Sequence, residues 1–166
     1  GAVWSTPWAG NWGGDMTYDA SRDRVCQLAV GGDNGIHCWD PATGVASDTI
    51  TNPTWSGISQ RGLAYRADDD SFYVGGWNDG NIYRVQGLSG ASPGQVISSC
   101  MPTDPNISGL AYNDAMGVLW EATNSETDTI YQLNPEDCTV LGTLKHPQSG
   151  GYQGAGLEMD NEGNLW

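Results

Sequence analysis

The amino-acid sequence predicts an all-β fold, a β-propeller of four-stranded antiparallel blades. Three observations predict it. Gly62-Leu63-Ala64-Tyr65 returns as Gly109-Leu110-Ala111-Tyr112 and again as Gly156-Leu157-Glu158-Met159, so the starts at 62, 109 and 156 lie 47 residues apart. Each interval carries four short apolar runs separated by turn residues. No stretch repeats apolar residues at i, i+3, i+4 and i+7 over ten or more positions, which argues against helices. Four short strands per interval of this length describe one propeller blade.

The elements follow in order. One interval before Gly62 stands Asp15-Met16-Thr17-Tyr18, a degenerate copy of the first strand. Second strands are expected at Leu28–Val30, Phe72–Val74, Leu119–Trp120 and Leu165–Trp166, and third strands at Ile36–Trp39, Ile82–Val85 and Ile130–Leu133. Fourth strands are expected near Ser47–Ile50, at Val96–Ser99 and at Val140–Leu144. Gly32-Asp33-Asn34-Gly35 and Asn78-Asp79-Gly80 between second and third strands are hairpin signals, because Asn and Gly tolerate the positive φ of tight turns. The blades are therefore 15–61, 62–108 and 109–155, with 156–166 beginning a fourth. Residues 1–14 read as the tail of a preceding blade and the loop leading inward. About 3.5 units is short of the four to eight blades that close a ring. The expectation is an incomplete propeller, completed by further blades of the same polypeptide or by a second copy that donates Ala2–Ser5.

Aligned columns assign a task to each position. Met16, Leu63, Leu110 and Leu157 share one column, and Tyr18, Tyr65, Tyr112 and Met159 another. Two residues apart on a strand, they point to one face and pack on the neighbouring blade. Thr17, Ala64 and Ala111 lie between them, small enough for strands crowded around an axis, and Glu158 breaks that series. The preceding glycine column implies close backbone approach or a bulge, with Asp15 as its exception. Trp39, Trp77 and Trp120 read as core, whereas Trp4, Trp8, Trp12 and Trp55 read as exposed aromatics of the inter-blade loops.

Composition excludes whole classes of function. Of 166 residues, 20 are acidic and six basic, for a net charge of −14. Such a chain repels phosphate backbones and anionic headgroups, so nucleic acid and membrane insertion are not expected. Four cysteines without a CxxC pair argue against zinc and, in an acidic, lysine-poor chain, for disulfides and secretion to the extracellular space or cell surface. Cys26 and Cys38 flank one hairpin and are expected to pair. Cys100 ends an outer strand and Cys138 begins one, which places them at opposite edges of their blades with partners unassigned.

Gly-Leu-Ala-Tyr, the Ile130-Tyr131-Gln132-Leu133-Asn134 strand and the Gly-Leu-Glu-Met-Asp-x-x-Gly-Asn-Leu-Trp run at 156–166 resemble YncE/NHL-type β-propeller repeats. These are known from secreted bacterial proteins and as appendages of subtilisin-like peptidases. The resemblance implies an extracellular, non-catalytic propeller.

No Gly-x-Ser-x-Gly, His-Glu-x-x-His, Walker or dinucleotide pattern occurs. Neither His37 nor His146 has a repeat-fixed serine or cysteine beside it, and Cys26 and Cys38, nucleophiles in principle, are expected in a disulfide instead. Asp68-Asp69-Asp70 lacks the Gly and Glu of a calcium loop and reads as turn acid. The loops that lead into the inner strands instead define a channel mouth at Trp12, Arg61, Asn106, Gln153 and Glu158. An ionisable Glu158 in a crowded column needs a partner, metal or ligand, because an unpaired buried charge costs several kcal/mol. The expected function is a binding module for a protein or carbohydrate, with no cofactor. The alternatives are a Ca²⁺-dependent hydrolase or lyase of lactonase type, with Asp15, Asn106 and Glu158 around one cation, and a structural half-propeller that self-assembles.

Overall fold

The computed structural model describes residues 12–127, 129–145 and 155–166. Three four-stranded antiparallel sheets follow one another along the chain. The first blade comprises β1 (Trp12–Asp19), β2 (Arg24–Val30), β3 (Ile36–Trp39) and β4 (Ala46–Ile50). One helical turn, α1 (Pro53–Ser56), leads to β5 (Gly62–Arg66), β6 (Ser71–Gly75), β7 (Ile82–Gln86) and β8 (Val96–Cys100). The third blade is β9 (Ile107–Asn113), β10 (Val118–Thr123), β11 (Thr129–Leu133) and β12 (Val140–Lys145). Residues 155–166 add a short antiparallel bridge, Met159 to Leu165. The molecule is an incomplete propeller of four-stranded blades.

The inner strands β1, β5 and β9 lie side by side, and apolar layers fill the wedges between blades. Leu63, Tyr65 and Phe72 pack on Cys26, Leu28 and Ile36 of the first blade. Leu110, Tyr112 and Leu119 pack on Ala64, Tyr73 and Ile82 of the second, and Leu157 with Met159 packs on Ala111 and Ala122 of the third. Alternation along each strand is what allows one blade to feed two layers. Gly109 shows why its column holds glycine: a Cβ there would stand 2.6 Å from the carbonyl carbon of Gly156 and 2.7 Å from the Leu157 nitrogen.

Several sequence expectations are corrected. Met16 and Tyr18 are half exposed, because no described residue packs on that face of the first blade. β1 starts at Trp12, ahead of residue 15, and a bulge between Gly13 and Met16 turns Asp15 inward. Trp55 is fully buried rather than exposed: α1 carries it under the β7–β8 loop, where its Nε1 donates to the Gly94 carbonyl at 2.8 Å. Trp77, expected in the core, is 38% exposed, while Trp39 is buried. Cys26 and Cys38 face each other across β2 and β3 with Cα atoms 4.1 Å apart and form the expected disulfide. Cys100 and Cys138 also pair, with Cα atoms 5.7 Å apart. The expectation of opposite edges fails because Cys138 lies in the β11–β12 turn with φ 60, which swings it toward the end of β8 in the preceding blade. Asp70 is no solvated turn acid. It accepts both guanidinium nitrogens of Arg22 (2.7 and 2.8 Å), the Tyr65 hydroxyl and the Ser89 amide, so a turn of the first blade is clamped to the second.

Candidate functional site at the propeller axis

Asp15 is the centre of the site. Its carboxylate lies on the axis and accepts backbone N–H bonds from the inner strands of the two other blades and from the 155–166 segment: Leu63 (3.2 Å), Leu110 (2.8 Å) and Leu157 (3.1 Å). The Met16 amide adds a fourth bond at 3.1 Å. The bulge makes this possible, because it sends the Asp15 amide to the Arg61 carbonyl and leaves the side chain pointing across the glycine column. A residue that breaks the repeat is thus a hub that satisfies three buried donors and a fourth that is partly buried.

Glu158 lies beside it. Thr17 Oγ1 donates to Glu158 Oε1 at 3.5 Å, and Oε2 is buried without a hydrogen-bond partner among the described residues. Burial pushes the Asp15 carboxyl up to about 7 against the pull of its four N–H donors, and burial with the nearby Asp15 charge pushes Glu158 up to about 8. Both carboxyls hold protons more tightly in the folded chain than in the unfolded one, where they titrate near 4. Their stabilising contribution is complete below pH 4 and is lost as pH rises through about 7 and 8. Stability is therefore expected to fall between pH 5 and 8. Glu158→Gln should flatten its share of that slope, about 1 kcal/mol per pH unit between pH 5 and 7. Denaturant melts at stepped pH measure it, and parallel curves for the two proteins would contradict the assignment.

Above the two carboxylates opens a cavity of about 520 Å³ lined by Gln27, Arg61, Trp77, Ser108, Glu158 and Trp166, among others. The Arg61 guanidinium stacks over Trp77, 4.4 Å from the ring centroid. Arg61 makes no ion pair with Glu158, so both keep capacity for a ligand. Trp166 is 77% exposed at the rim, its indole N–H held by Asp160 Oδ2 at 2.9 Å.

Of the residues expected at the mouth, the structure brings Arg61 and Glu158 to one cavity. Trp12 is exposed at the start of β1 but does not line it. Asn106 turns away and bonds Asp104 Oδ1 at 2.9 Å. Gln153 lies outside the described residues, as do Trp4, Trp8 and His146. Asp15 and Glu158 meet on the axis, but Asn106 does not join them, and the Asp15 oxygens already hold four N–H donors. His37 is held by Asp33 and Thr49. Sequence reasoning missed Trp77 and Gln27. Their signal was weak: Trp77 follows the glycines that end β6, and Gln27 occupies a column that holds Val74 in the next blade.

No protein-family model matches the chain, and no curated protein does. Solved structures do. The chain is similar to Myxococcus xanthus glutaminyl cyclase with TM-score 0.68 at 13% identity, over 93% of this chain and 66% of that one. It is similar to the RRP9 WD40 repeats with TM-score 0.60 at 18% identity, over 88% of this chain and 41% of that one. It also resembles U3-55K, with TM-score 0.58 at 16% identity, over 88% and 42%. The chain thus spans between two fifths and two thirds of these neighbours' lengths. At such identities the likeness establishes the propeller fold.

Proposed function

We propose that the chain is a non-catalytic binding module, part of a larger extracellular protein, that captures a carbohydrate or protein ligand at the channel mouth. The observation that carries this reading is the Arg61–Trp77 pair above the Asp15–Glu158 floor. A flat aromatic ring with a guanidinium on it and a carboxyl below offers stacking, donors and an acceptor within one cavity. The two disulfides support an oxidising compartment. The repeat pattern favours the YncE/NHL kind of propeller, and the WD40 likeness of two neighbours supports an interaction role. The Ca²⁺-dependent hydrolase or lyase reading has less support, since the Asp15 lone pairs are directed at N–H groups and Asn106 lies off the axis.

Tryptophan fluorescence titrated with neutral β-linked oligosaccharides tests the carbohydrate arm, and peptide-array capture tests the protein arm. The expected result is saturable binding that weakens at least about tenfold in Trp77→Ala and in Arg61→Ala, the scale of loss for anchor residues. Binding that survives both substitutions at full strength would overturn the reading.

A further inference from the structure

Acids outnumber bases 20 to six in this chain, and four of its five arginines are engaged by carboxylates: Arg22, Arg24, Arg66 and Arg84. Arg61 is the exception. No carboxylate among the described residues pairs with it, and of its five N–H donors one is engaged, by the Gln60 carbonyl at 3.3 Å. Nor is it an ordinary solvated arginine. It is half-buried, its guanidinium lies 4.4 Å from the Trp77 ring centroid, and burial lowers its pKa from the usual value. A partly desolvated cation without a counterion is unfavourable, and an anionic ligand removes that cost.

The surroundings say which anion. The column that precedes the repeat glycines holds Gly14, Arg61, Ser108 and Ala155, so the second blade alone places a charge there. All four residues line one cavity, and Arg61 is its one cation. A single guanidinium matches a planar, singly charged carboxylate through two parallel N–H bonds, whereas a phosphate dianion calls for more positive charge than this mouth holds. The floor does not oppose it. The Asp15 oxygens are directed at N–H groups, and burial pushes the Asp15 and Glu158 carboxyls up to about 7 and about 8, so at pH 6 the floor carries protons rather than charge. Trp77 and Trp166 wall the same cavity, and indole rings accept the flat C–H face of a pyranose. The Gln27 amide nitrogen donates to the Gly14 carbonyl at 3.2 Å, which leaves its oxygen as an acceptor for a sugar hydroxyl.

We propose that the ligand of the channel mouth is an acidic sugar, a uronic acid unit whose carboxylate pairs with Arg61 while its ring packs on the tryptophans. The proposal rests on the ligand-capture reading above and narrows it to one chemical class.

Trimers of galacturonate, mannuronate and glucuronate, each beside its methyl ester, are titrated into the protein at pH 6 and followed by calorimetry. Esterification removes the charge and keeps the ring, so the comparison is made on the unaltered protein. At least one acid is expected to bind about tenfold or more tightly than its ester, and the margin should narrow as salt rises. Arg61→Gln should bring that acid down to the affinity of its ester. Esters that bind as well as the acids, an acid preference that survives Arg61→Gln, or acidic peptides bound where no uronate is, each overturns the proposal. Neutral sugars or peptides that bind without an acid preference overturn it alone, whereas failure of every probe overturns the ligand-capture reading with it.

Discussion

Asp15→Ala is expected to lower the stability of the fold by about 4 kcal/mol or more. The carboxylate accepts from Leu63, Leu110, Leu157 and Met16, so alanine orphans backbone donors in every blade at once. Each unsatisfied buried donor costs about 1–3 kcal/mol, and a water that enters the space recovers only part of the sum. Asp15→Asn should fall between alanine and wild type. It keeps one acceptor oxygen, but its amide N–H₂ then points at N–H groups that need an acceptor. Chemical denaturation of the three proteins reads the series. Wild-type stability in Asp15→Ala would mean that the axial bonds contribute nothing net.

Cys100→Ser is expected to cost about 4 kcal/mol in the chain-entropy account, because the bond closes a loop of 38 residues. Cys26–Cys38 closes only 12, within one hairpin already held by strand pairing, so Cys26→Ser should cost about 3 kcal/mol at most. The two bonds differ in kind as well. Cys100–Cys138 joins the end of β8 in the second blade to the β11–β12 turn of the third, at the edge of the apolar layer between them. Losing it should expose the β8 to β11–β12 region to hydrogen exchange while the first blade stays protected. Equal melting temperatures for wild type and Cys100→Ser under oxidising conditions would refute the bridging role.

Much of the architecture was legible in the repeat. Strand positions from Ile36 to Leu144 follow from hairpin residues and alternation, and Ala64 with Ala111 is buried on the inner strands, where the columns call for small side chains. The candidate site was legible in part. Asp15 and Glu158 stood out as departures from their columns and Arg61 as a residue of the loops at the channel mouth, and the structure brings all three to one cavity. Trp55 and Trp77 exchanged the environments expected of them. A tryptophan in a loop between blades is buried or exposed according to how the loop folds back, and no periodicity encodes that.

By itself the amino-acid sequence determined the blade, its four strands, its period and the hairpin disulfide. These depend on neighbours a few residues apart, and local pairing reads directly from pattern. Only the tertiary structure decided what the exceptions do. Asp15 serves two other blades and the 155–166 segment at separations of 48, 95 and 142 residues, and Cys138 reaches Cys100 through one left-handed turn residue. Such partners meet because the strands wind around a common axis. That winding is a property of how whole blades pack, and no local pattern along the chain specifies it.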